Sequence, residues 1–472
     1  MSTDRSSIEV QSERVILAAA RLPTSGHDPR NPFGELRSLA EQAGGIVVGE
    51  LSQNLDRPIP ATYIGSGKVT ELKNLAQELQ ATTIIFDHDL SPKQIANIEK
   101  ATLRKVLDRS ELILDIFASR ASTAEAQLQV ELAQMEYTYP RLKAMWSHLE
   151  RIAGGIGSRG PGEQQLEIDR RLVTARKIEL KRDLEIIQAR KRREVAARKS
   201  QHFTVGIVGY TNAGKSTLFN TLTRGGAYAD DRLFATLMTR TREWNLGGSL
   251  GVMLSDTVGF VRDIPHHLVA SFRATLEEAT HADVLLIVLD VSDPAAEMQY
   301  KVVSGVLDEL EGELATSEHS EDKYWQPPHR IVLLNKIDRL KDNAEVMVWQ
   351  RKVPGAMPIS AIGGDEATSG LPELTAIIRE HARGEIGEFL VTVPLRESKT
   401  IHLLESRGEI LNREYTDDHV VLRARIGKRQ LAMLKSAGAH LELADTDGNA
   451  VVLEALPGQP PPTVGWSTAQ RD

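Results

Sequence analysis

The chain has 472 residues, 41% hydrophobic and 26% charged, proportions ordinary for a globular protein of three or four domains. It contains no cysteine, which excludes disulfides, thiolate metal sites and cysteine nucleophiles. A formal charge of −8 excludes indiscriminate nucleic-acid binding by the whole molecule, and with no apolar run of membrane-spanning length a cytoplasmic protein is expected.

After a polar N-terminus, residues 1–12, strand-like runs at Val15 to Ala20, Ile46 to Val48, Thr62 to Ile64, Thr83 to Phe86 and Lys105 to Leu107 alternate with helical patterns. The alternation predicts a small parallel sheet in an α/β domain over 13–110. Gly65-Ser66-Gly67-Lys68 falls at one strand-to-helix turn. It lacks the spacing and hydroxyl of a full phosphate loop and reads as a turn, with a phosphate of RNA or of a second nucleotide as the alternative.

A helical hairpin is predicted over 111–200. Leu128, Leu132, Met135, Leu142 and Leu149 have helical spacing, with Pro140 expected to kink or interrupt the helix. Leu166, Val173, Leu180 and Ile187 recur every seventh residue, with Leu184 beside them, and mark a second, long helix with a narrow apolar seam. Between the two, Arg151 and the glycines Gly154, Gly155, Gly157, Gly160 and Gly162, with Arg159 and Glu163, predict a flexible loop. Gly155 to Gly160 fits G-x-G-x-x-G, but without a preceding strand the dinucleotide reading is rejected. The loop is either a linker or an element that inserts into folded RNA, its arginines on phosphates or bases. From Arg176 to Ser200 ten basic residues stand against four acidic ones, a local +6 in an acidic chain. A solvated face is the bland explanation; RNA contact through Arg190, Lys191, Arg192 and Arg193 is preferred.

From 201 to 385 the motifs carry chemistry. Gly209, Tyr210, Thr211, Asn212, Ala213, Gly214, Lys215, Ser216 and Thr217 follow a short apolar strand, Phe203 to Val208, and open a helix, Lys215 to Leu222. That is the context a phosphate loop needs: backbone N–H groups and the positive helix end face the phosphates, Lys215 reaches the β and γ oxygens, and Ser216 holds Mg2+. Thr236, in Phe234-Ala235-Thr236, offers a second hydroxyl to Mg2+ on a segment able to order around the γ-phosphate. Asp256, Thr257, Val258, Gly259 and Phe260 follow another apolar strand, Gly251 to Leu254; Asp256 can reach Mg2+ through water and the Gly259 N–H the γ-phosphate. Lys215, Thr236 and Gly259 are therefore the candidate catalytic residues. Phe260 stands where many regulatory GTPases carry a water-orienting glutamine, so slow intrinsic hydrolysis and a stimulating partner are expected. Asn335, Lys336 and Asp338, after the apolar Ile331 to Leu334, select guanine: the Asp338 carboxylate accepts from the ring N–H and the exocyclic amine, which adenine cannot match. Ser360 and Ala361, after Pro358 and Ile359, complete the base pocket.

The C-terminal region, 386–457, reads as a strand at Phe389 to Val393, a helix at Lys399 to Arg407, a hairpin bent at Asp417 and Asp418, and a helix near Gln430 to Lys435, together a small α+β docking domain. A disordered tail, 458–472, follows proline-rich residues. The fold class is thus α/β: a P-loop GTPase domain preceded by a small parallel α/β domain with a long helical hairpin, and followed by the α+β domain.

Several stretches without general biochemical meaning resemble the HflX-type GTPases, from about Val15 to the end of the GTPase domain. They are Tyr63 to Lys68, Asp108 with Arg109, Leu112 to Ala118 with Arg120 and Ala121, Gln129 to Ala133, and Gly160 to Glu163 leading into Leu166, Glu167, Asp169 and Arg171. The resemblance implies Mg2+-dependent GTP hydrolysis and binding to the ribosome, at the 50S large subunit and its rRNA near the catalytic centre. It further implies GTP-dependent separation of stalled or idle ribosomes, and a K+ ion beside Asn212; a hydrogen bond of Asn212 within its own loop is the alternative. A monomer is expected. The chain departs from the family's L-F-A-T-L-D-P-T-T-R at Met238-Thr239-Arg240, losing a charge and a rigid turn while keeping Thr236. The competing function class is a regulatory GTP switch that recruits protein partners, its basic helix meeting an acidic protein surface.

Overall fold

The computed structural model describes residues 13–23, 31–153, 161–224, 239–247, 250–262, 279–316, 325–362, 369–436, 438–451 and 453, with the backbone alone at 140, 142–153, 161–170, 192, 196–197 and 199–201. They form two compact units, the first extending to Gln188 and the second comprising most of the chain from Ala189 onward.

The first unit is built on β1 (Arg14–Arg21), β2 (Ile46–Asn54), β3 (Thr83–Phe86) and β4 (Lys105–Leu107), all parallel in the order β2-β1-β3-β4. The central β1 is buried from Val15 to Ala20, which is why it reads as an unbroken apolar run. The helices are α1 (Gly34–Gln42), α2 (Ser66–Glu78), α3 (Pro92–Thr102) and α4 (Arg109–Arg120). α3 starts with a capping box in which the Ser91 hydroxyl accepts from Gln94 N–H, with Pro92 in the first turn. Thr62 to Ile64, expected as a strand, forms an isolated bridge instead, Ile59 with Tyr63, because Tyr63 adopts φ +63° and ends the extended run.

The Asp108-Arg109 pair now has a physical account. Buried Asp108 caps α4 by accepting from Glu111 N–H at 2.9 Å, and also accepts from Leu90 N–H, the Tyr137 hydroxyl and Arg141. Arg109, 1% exposed, lies between Asp87 at 2.6 Å and Glu35 at 3.0 Å. A buried guanidinium persists because both neighbours are carboxylates.

Two long helices follow, α5 (Ala124–Ala153) and α6 (Pro161–Gln201). Leu132, Leu180 and Leu184 are the buried seam between them, flanked by Leu128 and Met135. These contacts lie at similar distances on either side of the connecting segment, as an antiparallel hairpin requires. Two expectations are corrected. Pro140 does not interrupt α5, which tolerates the loss of one backbone hydrogen bond within thirty helical residues. The glycine-rich segment ends earlier than expected, because Pro161, with fixed φ and no N–H to satisfy, suits the first helical position and leaves Gly162 in the first turn of α6.

The second unit contains a six-stranded sheet of β5 (Thr204–Gly209), β6 (Arg240–Asn245), β7 (Gly251–Asp256), β8 (Val284–Asp290), β9 (His329–Asn335) and β10 (Met357–Pro358), in the order β10-β9-β8-β5-β7-β6. All pairs are parallel except β6 with β7. Its described helices are α7 (Lys215–Leu222), α8 (Ala296–Ala315), α9 (Ala344–Lys352) and α10 (Leu371–Arg383). An antiparallel sheet follows, order β12-β13-β11-β14, from β11 (Ile386–Pro394), β12 (Glu409–Tyr415), β13 (His419–Gly427) and β14 (Glu442–Ala444), with α11 (Ser398–Arg407) and α12 (Lys428–Ser436). Arg429 on α12 reaches back to Asp283 at 2.6 Å, below the start of β8, and lies over the Phe203 ring.

Candidate nucleotide-binding site

In the six-stranded sheet the chain runs from β5 outward to β6 and β7, then crosses to β8 on the other side. The carboxyl end of β5 is therefore the point where connections diverge and leave a crevice. Gly209 to Gly214 fill this turn. Gly214 stands at φ +98° before the first residue of α7, and a Cβ there would lie 2.3 Å from Asn335 Nδ2. Only glycine allows both the backbone angle and that approach.

Lys215 is 7% exposed, and its ammonium donates to the Tyr210 carbonyl at 2.7 Å. Burial brings its pKa down to about 8, with Asp256 opposing the shift and Lys336 adding to it. The Ser216 hydroxyl donates to Asp256 Oδ2 at 2.8 Å, and Thr217 is half-buried on the next position of α7. A hydroxyl and a carboxylate in contact beside the lysine are hard oxygen donors, the set a Mg2+ ion takes. The buried Thr257 hydroxyl donates to the Ile207 carbonyl at 2.7 Å and fixes the start of the segment that follows β7.

That segment is joined to the phosphate loop. Phe260 N–H donates to the Gly209 carbonyl at 3.1 Å, and Thr211 N–H to the Phe260 carbonyl at 2.7 Å. Arg262 N–H donates to the Tyr210 hydroxyl at 2.6 Å. A Cβ on Gly259 would lie 3.0 Å from Lys215 Nζ, so this glycine sits against the ammonium. Phe260 is 2% exposed. Its ring belongs to the packing of this joint.

At the other end, Asn335 is a brace: its amide donates to the Ala213 carbonyl at 2.7 Å and its oxygen accepts from Ala361 N–H at 3.0 Å. The Ala361 carbonyl accepts from Thr221 of α7 at 2.7 Å. Lys336, at φ +63°, donates to the Asn212 carbonyl at 2.7 Å and pairs with Asp290 at the same distance. Asp338 is exposed in a single 3-10 turn, Ile337–Arg339, and accepts from the Ser360 hydroxyl at 2.7 Å. Asn212 is exposed at φ +60°, and its side-chain amide makes no hydrogen bond among the described residues.

The structure thus brings together Gly209 to Thr217, Asp256, Thr257, Gly259, Asn335, Lys336, Asp338, Ser360 and Ala361. Thr236 lies outside the described residues, as do Gly154, Gly155, Gly157, Arg159 and Gly160; Arg151 is described as backbone of α5. Two features escaped the sequence. The charge at the end of the otherwise apolar β8 was a sign of Asp290, whereas nothing local linked the Tyr210 hydroxyl to Arg262. On α6, Arg176 pairs with Glu131 and Glu179, and Lys177 and Lys181 both reach Glu136 at 3.0 Å. Arg190 and Arg193 are exposed, the first bonded to Glu194 and the second to the Ala189 carbonyl.

Three family models match the chain in succession: GTP-binding GTPase N-terminal over 30–118, GTP-binding GTPase middle region over 120–198, and 50S ribosome-binding GTPase over 204–336. A protein named GTPase HflX from Lacrimispora saccharolytica is 41% identical over 423 residues, covering 89% of this chain and 95% of its own. Proteins of the same name from Chlamydia pneumoniae and Escherichia coli (strain K12) are 37% and 39% identical, covering 94% and 77% of this chain and 92% and 82% of their own. Among solved structures, a GTP-binding protein from the archaeon Sulfolobus solfataricus in complex with GDP is 25% identical, covers 78% of this chain and 98% of its own, and has a TM-score of 0.40. Among the described residues no helix is long and apolar enough to cross a membrane.

Proposed function

Because the chain belongs to the HflX family of GTPases, and so hydrolyses GTP to GDP and phosphate, we propose that it does this on the ribosome, binding the 50S subunit and its rRNA and separating stalled or idle ribosomes. The observation that carries the ribosomal part is the distribution of charge along α6. The basic residues beside the seam are matched by Glu131, Glu136 and Glu179, whereas Arg190 and Arg193, further along the helix toward β5, are exposed. Exposed guanidinium groups suit a phosphate backbone. The matched description of a 50S ribosome-binding GTPase supports the same partner.

In the site, Gly209 to Gly214 and the first N–H groups of α7 cradle the phosphates, and Lys215 exchanges its bond to Tyr210 for phosphate oxygens. Asp338 reads the guanine edge from its exposed side, steadied by Ser360, while Asn335 sets the distance between base and phosphate ends. Ser216 and Thr236 would hold Mg2+, with Asp256 acting through water; the ion would supply positive charge to offset that of the phosphates. The Asn212 amide, which makes no hydrogen bond among the described residues, suits a K+ ion beside the phosphates. Gly259 offers its N–H to the γ-phosphate, and Phe260, buried and chemically unable to orient water, leaves that task to the ribosome, which stimulates turnover. The protein works as a cytoplasmic monomer.

The test is GTP turnover with and without purified 50S subunits, paired with light scattering of 70S particles. Stimulation and dissociation are expected. GTP binding without either would favour the protein-recruiting switch. Neutralising Arg190 to Arg193 should weaken ribosome binding and flatten its salt dependence while sparing GTP affinity.

A further inference from the structure

Among the described residues, the last turns of α6 make a polar contact with the GTPase sheet. Arg198 Nη1 donates to the Thr241 hydroxyl of β6 at 3.2 Å. That hydroxyl lies 3.0 Å from the Ser255 hydroxyl of β7, with Thr241 and Ser255 directly paired across the two strands. Thr241 accepts from a permanent cation and shares a hydrogen bond with Ser255, so the three side chains form one connected chain. Ser255 is 7% exposed, and side chains alternate along a strand, so it points away from the apolar core that Leu254 joins.

The next residue in β7 is Asp256, which holds the Ser216 hydroxyl and is itself paired with Arg240 in the sheet register. β6 also begins four residues after Thr236. The contact therefore lies one residue from Asp256 along β7.

We propose that Arg198 is a positioning residue for GTP hydrolysis, acting through the Thr241 and Ser255 hydroxyls on the placement of Asp256 beside Ser216. The proposal rests on the family's GTPase activity and on the assignment of Ser216 and Asp256 to the phosphate-metal site; it does not need the ribosome. It gives the basic helix a second use, since the turns following Arg190 to Arg193 hold the strands that carry the switch residues.

The test uses the full chain without ribosomes, so that its outcome is independent of the ribosomal assignment. Arg198→Ala should lower kcat about tenfold, the scale of one well-placed hydrogen bond to a charged group, with KM for GTP little changed. It should also raise the Mg2+ concentration at which GDP protects the protein against thermal unfolding, a readout that needs no turnover. Thr241→Val should reproduce both effects and Thr241→Ser neither. The double variant Arg198→Ala, Thr241→Val should be no worse than either single one, because both break one chain. Arg198→Lys should recover part of the loss. Wild-type kcat and Mg2+ dependence in Arg198→Ala and Thr241→Val, with unchanged melting temperatures, would overturn the proposal. Losses that multiply in the double variant would do the same. Intact coupling with absent 50S stimulation would leave it standing and count against the ribosomal function instead.

Discussion

Lys215 is the place where pH should reveal the phosphate site. The ammonium is buried, donates to the Tyr210 carbonyl, and is brought down to about 8 chiefly by burial. Phosphate oxygens beside it favour the charged form, so its pKa in the nucleotide complex lies above that in the free protein. A group whose pKa rises on binding contributes fully below the free value, and its contribution is lost as pH climbs from there toward the bound value. Affinity for GDP should therefore be flat near neutrality and fall about tenfold between pH 7 and pH 9, since one pKa unit is a factor of ten. The assay is titration with a fluorescent GDP analogue at constant ionic strength. Guanine also sheds its ring proton as pH rises, so Lys215→Met is titrated in parallel and the ratio of the two affinities isolates the lysine. A ratio that does not change with pH would refute the desolvated ammonium.

Asp338→Asn should invert nucleotide preference from guanine toward xanthine, because an amide donates where the carboxylate accepted; equal GTP affinity in both proteins would count against Asp338 as the base reader. Phe260→Gln places an amide where a 2%-exposed ring now packs, so it should lower stability by about 1–3 kcal/mol in thermal or urea unfolding, without raising the intrinsic GTPase rate. A rate reaching that seen with ribosomes would contradict this. Gly214→Ala forces a side chain to within 2.3 Å of Asn335 Nδ2 at φ +98°, and nucleotide binding should be lost while the far-ultraviolet circular dichroism is kept. Unchanged affinity there would mean that the loop and the base-reading turn are free to separate.

The fold was most legible where burial is two-sided. The runs around Val15, Thr83, Lys105, Val205 and Ile331 read as strands because parallel strands covered on both faces need unbroken apolar sequence, and each stands in a sheet. Thr62 to Ile64 misled because β-branched composition says nothing about the left-handed turn at Tyr63. The loop before α6 is shorter than its glycine density predicts, because Pro161, whose ring is a start signal at the first helical position, opens the helix. In the site, residue types at motif spacing named the participants, yet the partners came from elsewhere in the chain. Asn335 meets Ala213 across 122 positions, and no local pattern announces such a bond. The count of basic residues on α6 likewise overstated the free charge, since Glu131 and Glu136 sit on a different helix.

The brace around Asn335 closes on itself: Asn335 to Ala213 in the phosphate loop, Ala361 to Asn335, and Thr221, on the helix that grows from that loop, to Ala361. A closed ring of bonds has no loose end at which to start opening. Departure of the product should then be a single concerted event, with base and phosphates released together. Spontaneous exchange should be slow for the same reason. An exchange-promoting surface need not touch the phosphates at all: pulling at Ser360 and Ala361, the segment that steadies Asp338, reaches the phosphate loop through the Asn335 side chain.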